Sequence, residues 1–403
     1  MDRSKLLYTA IFLFSLLILT GDAYAEEPEI TGEAAVLLDL GSGQFLYEKN
    51  ADKIMYPAST TKALTALLVA RNGNLDEVVA MSESAVYAGG SAIWSTPGER
   101  FSLEDLLWCI LLNSANDATT AAAEHLGGSV EGFAAMMNEE ARRLGAQNSH
   151  FVNPHGLHDD QHYTTARDLA LIGRAALAEP LIRRMAGTQT HQLVREDQEA
   201  LSLLKNTNNL LWQYDGVIGL KTGYTSKAGQ CLIAAAEKDG RTLVSVVLKS
   251  ENDLIWTDTA TLLDYGFDRF QEVDMVIEGD PVCSVPVVYG QSTAHLLAGA
   301  GLAHVIPVDR PEAGRWEVRL DRELIAPLRR DEPVGELAVF YAGEEVGQVP
   351  LVAGHDVGRL VYTTWWFRSG LGVGVFILFV GLLRFTVRRR RSSLYRGSRI
   401  RSL

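Results

Sequence analysis

Hydrophobic residues recur with two different spacings along residues 33–271. Short alternating or continuous apolar runs predict β-strands at 34–40, 44–48, 217–225, 230–237 and 241–249. Apolar residues spaced three and four apart predict helices at about 59–68, 103–112, 117–126, 129–144 and 253–265. Gly41-Ser42-Gly43 and Asp239-Gly240 join consecutive strands as turns. The pattern predicts one α/β unit that is long enough to bury a sizeable core.

The pattern changes between about residues 272 and 361, where Val alternates with polar residues. Turns are predicted at Gly279-Asp280, Ala313-Gly314 and Ala342-Gly343. Residues 337–341 and 346–351 are typical of one hairpin, and we interpret residues 355–359 as a linker to the segment that follows. The sequence therefore predicts a second, small β-rich domain over residues 272–361, after a first domain over residues 26–271.

The first 25 residues have the pattern of a secretory signal peptide. Arg3 and Lys5 precede an apolar run at 6–19, and Ala23-Tyr24-Ala25 gives the small-x-small pattern of a cleavage site. An uncleaved anchor is the alternative, but the run is shorter than the ~20 residues that a spanning helix needs. We expect cleavage after Ala25.

The other end of the chain has the pattern of a transmembrane anchor, over residues 362–387. Trp365 and Trp366 suit one membrane boundary, residues 369–383 carry no charge, and an Arg-rich tail follows at 388–403. Because positive residues stay on the cytoplasmic side, the large body before this helix should lie outside the cytoplasm. The sequence predicts a single-pass membrane protein with its large body on the extracytoplasmic face.

The charge balance argues against a nucleic-acid partner. The whole chain carries a net charge of −13, residues 384–403 hold eight Arg and no acid, and the charges of the first 25 residues cancel, which leaves residues 26–383 at about −21. A body with so large a negative charge disfavours ligands that carry phosphate groups.

The three cysteines, Cys109, Cys231 and Cys283, are widely spaced and odd in number. Buried free thiols are therefore expected, and one disulfide between two of them is the alternative.

The strongest candidate for a nucleophile is the string Ser59-Thr-Thr-Lys62. Ser59 follows a proline at the start of an apolar helix, and Lys62, three residues on, shares its face. An ordinary lysine has a pKa of about 10.4, so burial and a second cation must lower it before Lys62 can act as a base. The spacing alone is weak evidence for a nucleophile, because residues 202–205 have the same spacing of Ser and Lys. Ser250-Glu-Asn252 likewise matches the Ser-x-Asn pattern of the second motif, described next.

Two further strings supply the rest of a candidate acyl-transfer site. In Ser114-Ala-Asn116, the hydroxyl can relay a proton and the amide can orient Lys62 or bind substrate, although helix capping would explain the string alone. In the apolar strand that carries Lys221-Thr222-Gly223, a cation, a hydroxyl and an open glycine suit the terminal carboxylate of an extended peptide. The N–H groups of Ser59 and Tyr224 could form an oxyanion hole.

A metal site is the competing interpretation of one histidine cluster. His150, His155, His158 and His162 lie close together in the sequence, but they lack the usual zinc spacing. Asn153-Pro-His155-Gly156 is instead typical of a turn. We expect neither a metal nor an organic cofactor.

Taken together, the motifs resemble those of the low-molecular-mass penicillin-binding proteins, the serine D-alanyl-D-alanine carboxypeptidases of the bacterial cell wall. The strings that carry the resemblance are Leu-Tyr47-Glu-Lys-Asn50-Ala-Asp, Tyr56-Pro-Ala-Ser59-Thr-Thr-Lys62, Leu-Asn113-Ser-Ala-Asn116-Asp117, Asn153-Pro-His-Gly156-Leu and Gly219-Leu-Lys-Thr-Gly-Tyr224-Thr. The resemblance as a whole covers nearly the whole mature chain, because the family also carries a β-rich domain after the catalytic one and a C-terminal membrane anchor. The middle motif departs from the family's Ser-Asp-Asn pattern, since Ala115 stands in its centre, and some relatives have an amphipathic anchor instead of a spanning one.

The resemblance implies a fold, a reaction and a set of partners. The fold would be the penicillin-binding or β-lactamase-like transpeptidase fold, an antiparallel sheet with a helical subdomain, followed by an all-β domain and a membrane anchor. Ser59 would form the acyl-enzyme, Lys62 would accept its proton, Ser114 and Asn116 would complete the site, and Lys221 would bind the carboxylate. Peptidoglycan stem peptides would be substrates, and β-lactams would be covalent inhibitors.

Two other functions stay open at this point. A class A-like β-lactamase is disfavoured because no Glu is placed with an Asn after the second motif to activate water. A non-catalytic sensor of peptidoglycan or β-lactams is disfavoured because Ser59, Lys62 and Lys221 are all present. The main hypothesis is an enzyme that trims the cell wall and limits its cross-linking.

Overall fold

The computed structural model describes residues 27–195, 202–310 and 314–397. The predicted signal peptide, residues 1–25, lies outside the described residues. The chain forms two compact units that divide between Gln271 and Glu272.

The first unit combines nine strands with nine helices among its described residues. The strands are β1 (Ala34–Asp39), β2 (Phe45–Lys49), β3 (Val78–Ala80), β4 (Arg100–Ser102), β5 (Thr190–Leu193), β6 (Ser202–Lys205), β7 (Val217–Thr225), β8 (Gly229–Lys238) and β9 (Arg241–Ser250). The helices are α1 (Lys62–Asn72), α2 (Glu83–Val86), α3 (Leu103–Leu112), α4 (Asn116–Gly127), α5 (Val130–Arg143), α6 (Ala166–Leu177), α7 (Pro180–Ala186), α8 (Leu210–Gln213) and α9 (Leu254–Arg269). A 3-10 turn at Ala58–Thr61 leads directly into α1.

A five-stranded antiparallel sheet in the order β2-β1-β9-β8-β7 is the centre of this unit. All six residues of β1 are buried, and its side chains alternate between two cores. Val36 packs in the core shared with α1, α3 and α6, whereas Leu37 packs in the core shared with α9. Helices cover both faces of the sheet, and β2 and β7 are its two edge strands.

The helical layer positions the loop that precedes α4. Helix α3 begins with a capping box, in which Ser102 Oγ accepts from Asp105 N at 3.0 Å and donates to the Asp105 carboxylate at 2.6 Å. Residues Leu103–Leu112 are nearly all buried, so α3 is fixed in the core. At its end the chain turns through Ser114, whose φ of +59° is uncommon for a residue with a side chain.

The predicted elements of this unit agree with the structure apart from their bounds, but the short strands β3–β6 and the helices α2, α6, α7 and α8 were not predicted. The predicted hairpins, the three later strands and all five predicted helices are present. The helix predicted from residue 59 begins at Lys62, after the 3-10 turn. Helix α6 was missed although it begins with a Thr165 cap that accepts from Asp168 N.

The second unit is built on a five-stranded sheet in the order β11-β12-β16-β15-β14. Its strands are β10 (Phe270–Val276, which begins in the first unit), β11 (Pro281–Val285), β12 (Ala294–Ala298), β13 (Leu302–Pro307), β14 (Arg315–Leu320), β15 (Pro333–Tyr341) and β16 (Glu344–Ala353). The linker predicted at residues 355–359 is wrong. Val357 is buried and pairs with Leu328, and Arg359 pairs with Gly290, so this segment belongs to the β-rich unit.

A long helix, α10 (Trp365–Gly397), ends the described part of the chain. Its first 25 residues, Trp365–Arg389, have a mean hydropathy of 2.1 and are not buried by the protein. At 1.5 Å per residue they extend for about 37 Å, which exceeds the ~30 Å hydrocarbon core of a bilayer. This is the one helix of the described residues that is long and apolar enough to cross a membrane.

The three cysteines are free in the structure, and both Cys109 and Cys231 are buried. The expectation of buried free thiols is confirmed for these two. Cys283 is partly buried.

Candidate active site

Ser59 lies in the 3-10 turn that precedes α1, close to strand β7. Gly223 on β7 is the residue that permits this approach, because a Cβ at position 223 would lie 2.9 Å from the backbone nitrogens of both Ser59 and Thr60. Ala58 has a φ of +48°, so the backbone is strained immediately before the serine. The turn thus presents Ser59 at the amino end of the helix and beside an open strand edge.

Lys62 has its amine in contact with three oxygen atoms. Its Nζ lies 2.9 Å from Ser59 Oγ, 2.7 Å from Asn116 Oδ1 and 2.8 Å from the carbonyl oxygen of His155. The orientation of the Asn116 amide is fixed by its other end, because Nδ2 donates to Gly89 O at 2.7 Å. The structure therefore brings three predicted residues together, Ser59, Lys62 and Asn116.

Both lysines of the predicted site are buried, and burial changes their acidity. Lys62 is 0% exposed and Lys221 is 1% exposed. Burial, with a smaller effect from the charge of Lys221, lowers the pKa of Lys62 well below its ordinary value. Burial lowers the pKa of Lys221 to about 7. Burial therefore favours the neutral form of the Lys62 amine.

The carbonyl of His155 is delivered by the turn that the sequence predicted from residues 153–156. Asn153 Oδ1 accepts from Gly156 N at 2.7 Å, and Asn153 Nδ2 donates to Leu157 O at 3.0 Å. Gly156 has a φ of +83°, and a Cβ there would collide with the carbonyl of Ala58. The turn is thus locked against the segment that carries Ser59, and its contact with Lys62 had no signal in the sequence.

A segment at residues 89–95 forms another wall of the site. Asn116 N donates to Ser91 O at 2.6 Å, next to the Gly89 contact described above. Asp117 holds the continuation of the segment, because its carboxylate accepts from the backbone N–H groups of Ile93 and Ser95, each at 3.2 Å. The residue that follows Asn116 in the chain therefore fixes the wall that Asn116 contacts.

A cavity of about 290 Å³ opens beside Ser59. Its lining residues are neutral, and they come from seven segments of the first unit: Ser59, Ser91, Ser114, Thr207, Thr222, Gly223, Tyr224, Gln230, Cys231, Ile255 and Trp256. Four predicted site residues besides Ser59 are among them, namely Ser114, Thr222, Gly223 and Tyr224. Within the described chain, neither a carboxylate nor a cation lines this cavity.

Lys221 lies next to the cavity lining and acts on it through Thr222. Its Nζ donates to Thr222 O at 3.0 Å and lies 3.4 Å from Thr222 Oγ1. Thr222 Oγ1 in turn lies 2.6 Å from Thr207 Oγ1. Thr207 belongs to a segment that the sequence analysis left without an assignment.

The competing motif matches have other positions and partners. Residues 202–205 lie on strand β6 rather than at a helix start. Ser250 Oγ donates to the Asp258 carboxylate at 2.6 Å. No group of three or more His, Cys, Asp or Glu in the described ranges is arranged to hold a metal ion. His162 is instead hydrogen bonded to Thr61 at 2.9 Å.

Two family models and several known proteins match this chain. The model of the D-alanyl-D-alanine carboxypeptidase family matches residues 22–252, and the model of the penicillin-binding protein 5 C-terminal domain matches residues 270–359. The D-alanyl-D-alanine carboxypeptidase DacF of Bacillus subtilis is 30% identical over 380 residues, which cover 91% of this chain and 97% of the relative. DacA of Escherichia coli is 33% identical over 347 residues, which cover 82% and 84%.

Solved structures of similar proteins have the same fold as this chain. Penicillin-binding protein 5 from Haemophilus influenzae superposes with a TM-score of 0.70 at 30% identity, over 83% of this chain and all of that chain. A mutant of the Streptomyces K15 DD-transpeptidase superposes with a TM-score of 0.58 at 31% identity, over 60% of this chain and all of that chain. The predicted α/β fold class with an all-β C-terminal domain is confirmed.

Proposed function

This chain belongs to the D-alanyl-D-alanine carboxypeptidase family of serine peptidases, and we propose that it hydrolyses the terminal D-Ala-D-Ala bond of peptidoglycan stem pentapeptides through an ester on Ser59. The catalytic domain is residues 26–271, and the β-rich domain is residues 272–361. The reaction trims the cell wall and limits its cross-linking. It uses no metal or organic cofactor.

The observation that supports this proposal most directly is the set of partners around the Lys62 amine. A neutral amine has two N–H groups and one lone pair. The oxygens of Asn116 and of the His155 carbonyl can only accept, so they occupy the two N–H groups at 2.7 and 2.8 Å. The lone pair is left facing Ser59 Oγ at 2.9 Å, where it can accept the hydroxyl proton.

Acylation then follows from this geometry. As the proton moves to Lys62, Ser59 Oγ bonds to the carbonyl carbon, and the backbone N–H groups of Ser59 and Tyr224 stabilise the developing oxyanion. The carbon–nitrogen bond breaks, and the terminal D-alanine leaves after its nitrogen receives the proton from Lys62 through the Ser114 hydroxyl. Water then attacks the ester carbonyl carbon while Lys62 accepts its proton, and the bond between that carbon and Ser59 Oγ breaks as Lys62 returns the proton to Oγ, which releases the shortened peptide.

The substrate is held along strand β7, which is the edge strand of the central sheet that lies beside Ser59. An extended peptide can pair with this edge as an added strand, and Gly223 leaves room for it beside Ser59. The terminal carboxylate is held near Lys221 and Thr222. The charge of Lys221 acts strongly there because its side chain is buried.

β-Lactams acylate the same serine, because their strained amide resembles the scissile bond. The cavity has no carboxylate among its described lining residues, so a dedicated general base for rapid hydrolysis of the drug ester is lacking. Ester hydrolysis then depends on Lys62. This feature favours a penicillin-binding carboxypeptidase over a β-lactamase, and the intact set of catalytic groups favours an enzyme over a non-catalytic sensor.

The chain is exported by a cleaved signal peptide and held by one membrane helix, with the catalytic domain outside the cytoplasm. Helix α10 has a suitable length and hydropathy over Trp365–Arg389. The arginines of residues 388–403 lie at its cytoplasmic end and fix the orientation. Protease treatment of intact spheroplasts would test this topology, since it should digest the body and leave a protected fragment containing the tail.

The activity is tested with the full chain in detergent and a diacylated L-Lys-D-Ala-D-Ala peptide. Wild-type protein should release free D-alanine, and the Ser59→Ala variant should release none above background. Release of D-alanine by Ser59→Ala at the wild-type rate would contradict the assignment of the nucleophile. Absence of release by both proteins, with Ser59 still acylated by penicillin, would contradict the proposed substrate.

A further inference from the structure

A buried histidine lies behind the active site, and the proposed mechanism does not use its side chain. His162 is only 2% exposed, and it is not part of the cavity lining. It is one of four clustered histidines, within residues 150–162, that the sequence alone left open as metal ligands. Each of its two ring nitrogens instead contacts a different segment of the chain, and these segments carry Ser59 and the His155 carbonyl.

The contact at Nδ1 fixes which ring nitrogen carries the proton. Val152 N lies 3.2 Å from His162 Nδ1, and a backbone N–H group can only donate, so Nδ1 accepts. Burial lowers the pKa of His162 to about 4, so at pH 7 the ring is neutral and holds one proton. That proton is therefore on Nε2.

The contact at Nε2 continues as a relay to the turn that carries Ser59. His162 Nε2 donates to Thr61 Oγ1 at 2.9 Å. The Thr61 hydroxyl then donates to the carbonyl oxygen of Ala58 at 2.8 Å. Ala58 immediately precedes Ser59 and has a φ of +48°, a conformation that persists only when surrounding contacts hold it. The relay from the histidine ring is such a contact.

The Nδ1 contact joins the same ring to the segment that places the His155 carbonyl. Val152 lies three residues before His155. The Phe151 ring packs edge-on against the His162 ring, with the ring centroids 5.4 Å apart. Because both rings are almost fully buried, the hydrogen bonds of His162 are stronger than they would be in water. The imidazole therefore links the two segments that supply the oxygen partners of Lys62.

We propose that His162 is a positioning residue, a clamp that holds the nucleophile Ser59 in line with the Lys62 amine. The clamp works by fixing the Ser59 turn and the His155 segment to one another. This inference rests on the proposed function. Lys62 Nζ contacts the two segments at 2.9 and 2.8 Å, so a shift of either segment turns the lone pair away from the hydroxyl. A misplacement of about 1 Å costs on the order of 10²-fold in rate.

The test follows acylation of Ser59 by benzylpenicillin, with the full chain in detergent, over a range of drug concentrations. The maximal rate constant and the half-saturating concentration are obtained separately, and the melting temperature is measured. Thr61→Val removes the relay hydroxyl and keeps the shape of the side chain. It should lower the maximal rate constant about 10- to 100-fold and leave the half-saturating concentration nearly unchanged. Thr61→Ser restores the hydroxyl and should recover most of the rate.

Substitutions of His162 separate the two halves of the clamp. The amide N–H of His162→Gln can replace the donor at Nε2, and the amide oxygen of His162→Asn can replace the acceptor at Nδ1. Each variant keeps one link, so both should be slower than the wild type and faster than His162→Ala, which keeps neither. A His162→Ala protein with the wild-type maximal rate constant would overturn the proposal. His162→Gln answers the same question if Thr61→Val does not fold.

Thr259→Val is the matched control for the loss of a buried hydroxyl. Thr259 is 0% exposed, and its hydroxyl donates to Ile255 O at 2.7 Å within α9. This variant should lose about as much melting temperature as Thr61→Val and keep the wild-type rate constant. Equal rate constants for Thr61→Val and Thr259→Val, or a Thr61→Ser protein as slow as Thr61→Val, would contradict the clamp. If wild-type Ser59 is not acylated at all, the proposed function itself fails.

Discussion

Asn116 Oδ1 lies 2.7 Å from Lys62 Nζ, although 54 positions separate the two residues in the chain. The contact depends on α1 and on the start of α4, which the helical layer holds together. It uses one N–H group of the lysine and leaves its lone pair for Ser59. In the proposed mechanism, the second motif therefore orients the base rather than supplying one.

The Asn116→Asp variant tests this relationship through the pH dependence of acylation. A carboxylate beside Lys62 stabilises the ammonium and so raises the pKa of Lys62, which burial lowers in the wild type. Because only the neutral amine can accept a proton, the acidic limb of the profile of kcat/KM against pH should move to higher pH by about 1–3 units. Measurement of kcat/KM between pH 5 and 10 gives the shift.

Asn116→Ala is the matched variant for that experiment. It removes the acceptor without adding a charge, so it should lower the rate at every pH and leave the acidic limb near its wild-type position. An unshifted limb in Asn116→Asp would show that the side chain at position 116 does not control protonation of Lys62.

Replacement of Lys62 tests the base itself. Lys62→Ala should lower the rate of acylation by about 10²–10⁴-fold, the usual contribution of a positioned base. Lys62→Arg should be as slow, because a guanidinium keeps the charge but stays protonated. Lys205→Ala is the control, since Lys205 belongs to the other match of the same spacing, on strand β6. A Lys62→Arg enzyme of normal rate would contradict the role of a neutral amine.

The sequence was enough to predict that Ser59 and Lys62 lie close together, because the two residues are near each other in the chain. Ser59 and Lys62 are three residues apart where a turn enters a helix, so their proximity follows from helical geometry. The same argument does not explain the His155 carbonyl, which contacts Lys62 across 93 positions. A backbone group has no identity in the sequence, so only the fold reveals it.

Gly223→Ala tests the contact between the nucleophile and strand β7. The added Cβ would meet the backbone nitrogens of Ser59 and Thr60 at 2.9 Å, so the turn must move away from the strand. A displacement of about 1 Å at a reacting atom costs on the order of 10²-fold in rate, and we expect a loss of that size in acylation.

The control for this substitution is Gly41→Ala. Gly41 lies in the hairpin turn between β1 and β2, and the nearest atom to an added Cβ is 3.5 Å away, on Asp39. Its acylation rate should equal that of the wild type. If Gly223→Ala also acylates at the wild-type rate, close contact of β7 with the Ser59 turn is not required.

Lys221 should take up a proton when an anionic ligand binds. Burial lowers the pKa of Lys221 to about 7 in the free protein, so at pH 7.5 a large part of it is neutral. A carboxylate near Thr222 favours the ammonium and raises this pKa, so binding should be accompanied by uptake of ~0.5 proton. Calorimetry in buffers of different ionisation enthalpy, with Ser59→Ala and a D-Ala-D-Ala peptide, measures the uptake.

The same titration with a penicillin methyl ester provides the control for the charge. It should show uptake near zero, because a neutral ligand leaves the equilibrium of Lys221 unchanged. Equal proton uptake with both ligands would show that the ligand carboxylate does not act on Lys221.

The position of the Thr207 side chain at the cavity could not be predicted from the sequence. Its neighbours Asn206 and Asn208 read as an ordinary polar loop, and the segment contains none of the three motifs. Its hydroxyl contacts Thr222 only because Asn206 and Asn208 are buried and because its N–H reaches the end of α3. The strand and helix pattern predicted the elements of the fold, whereas the walls of the cavity depend on loops that tertiary contacts position.

The central claim is that Ser59 forms a covalent ester with Lys62 as its base, and time-resolved intact mass of the full chain with benzylpenicillin tests it most directly. A persistent adduct of one drug molecule that is absent from Ser59→Ala and slow to form in Lys62→Ala is the predicted result. An adduct retained by Ser59→Ala, or rapid loss of the adduct with turnover of the drug, would contradict it.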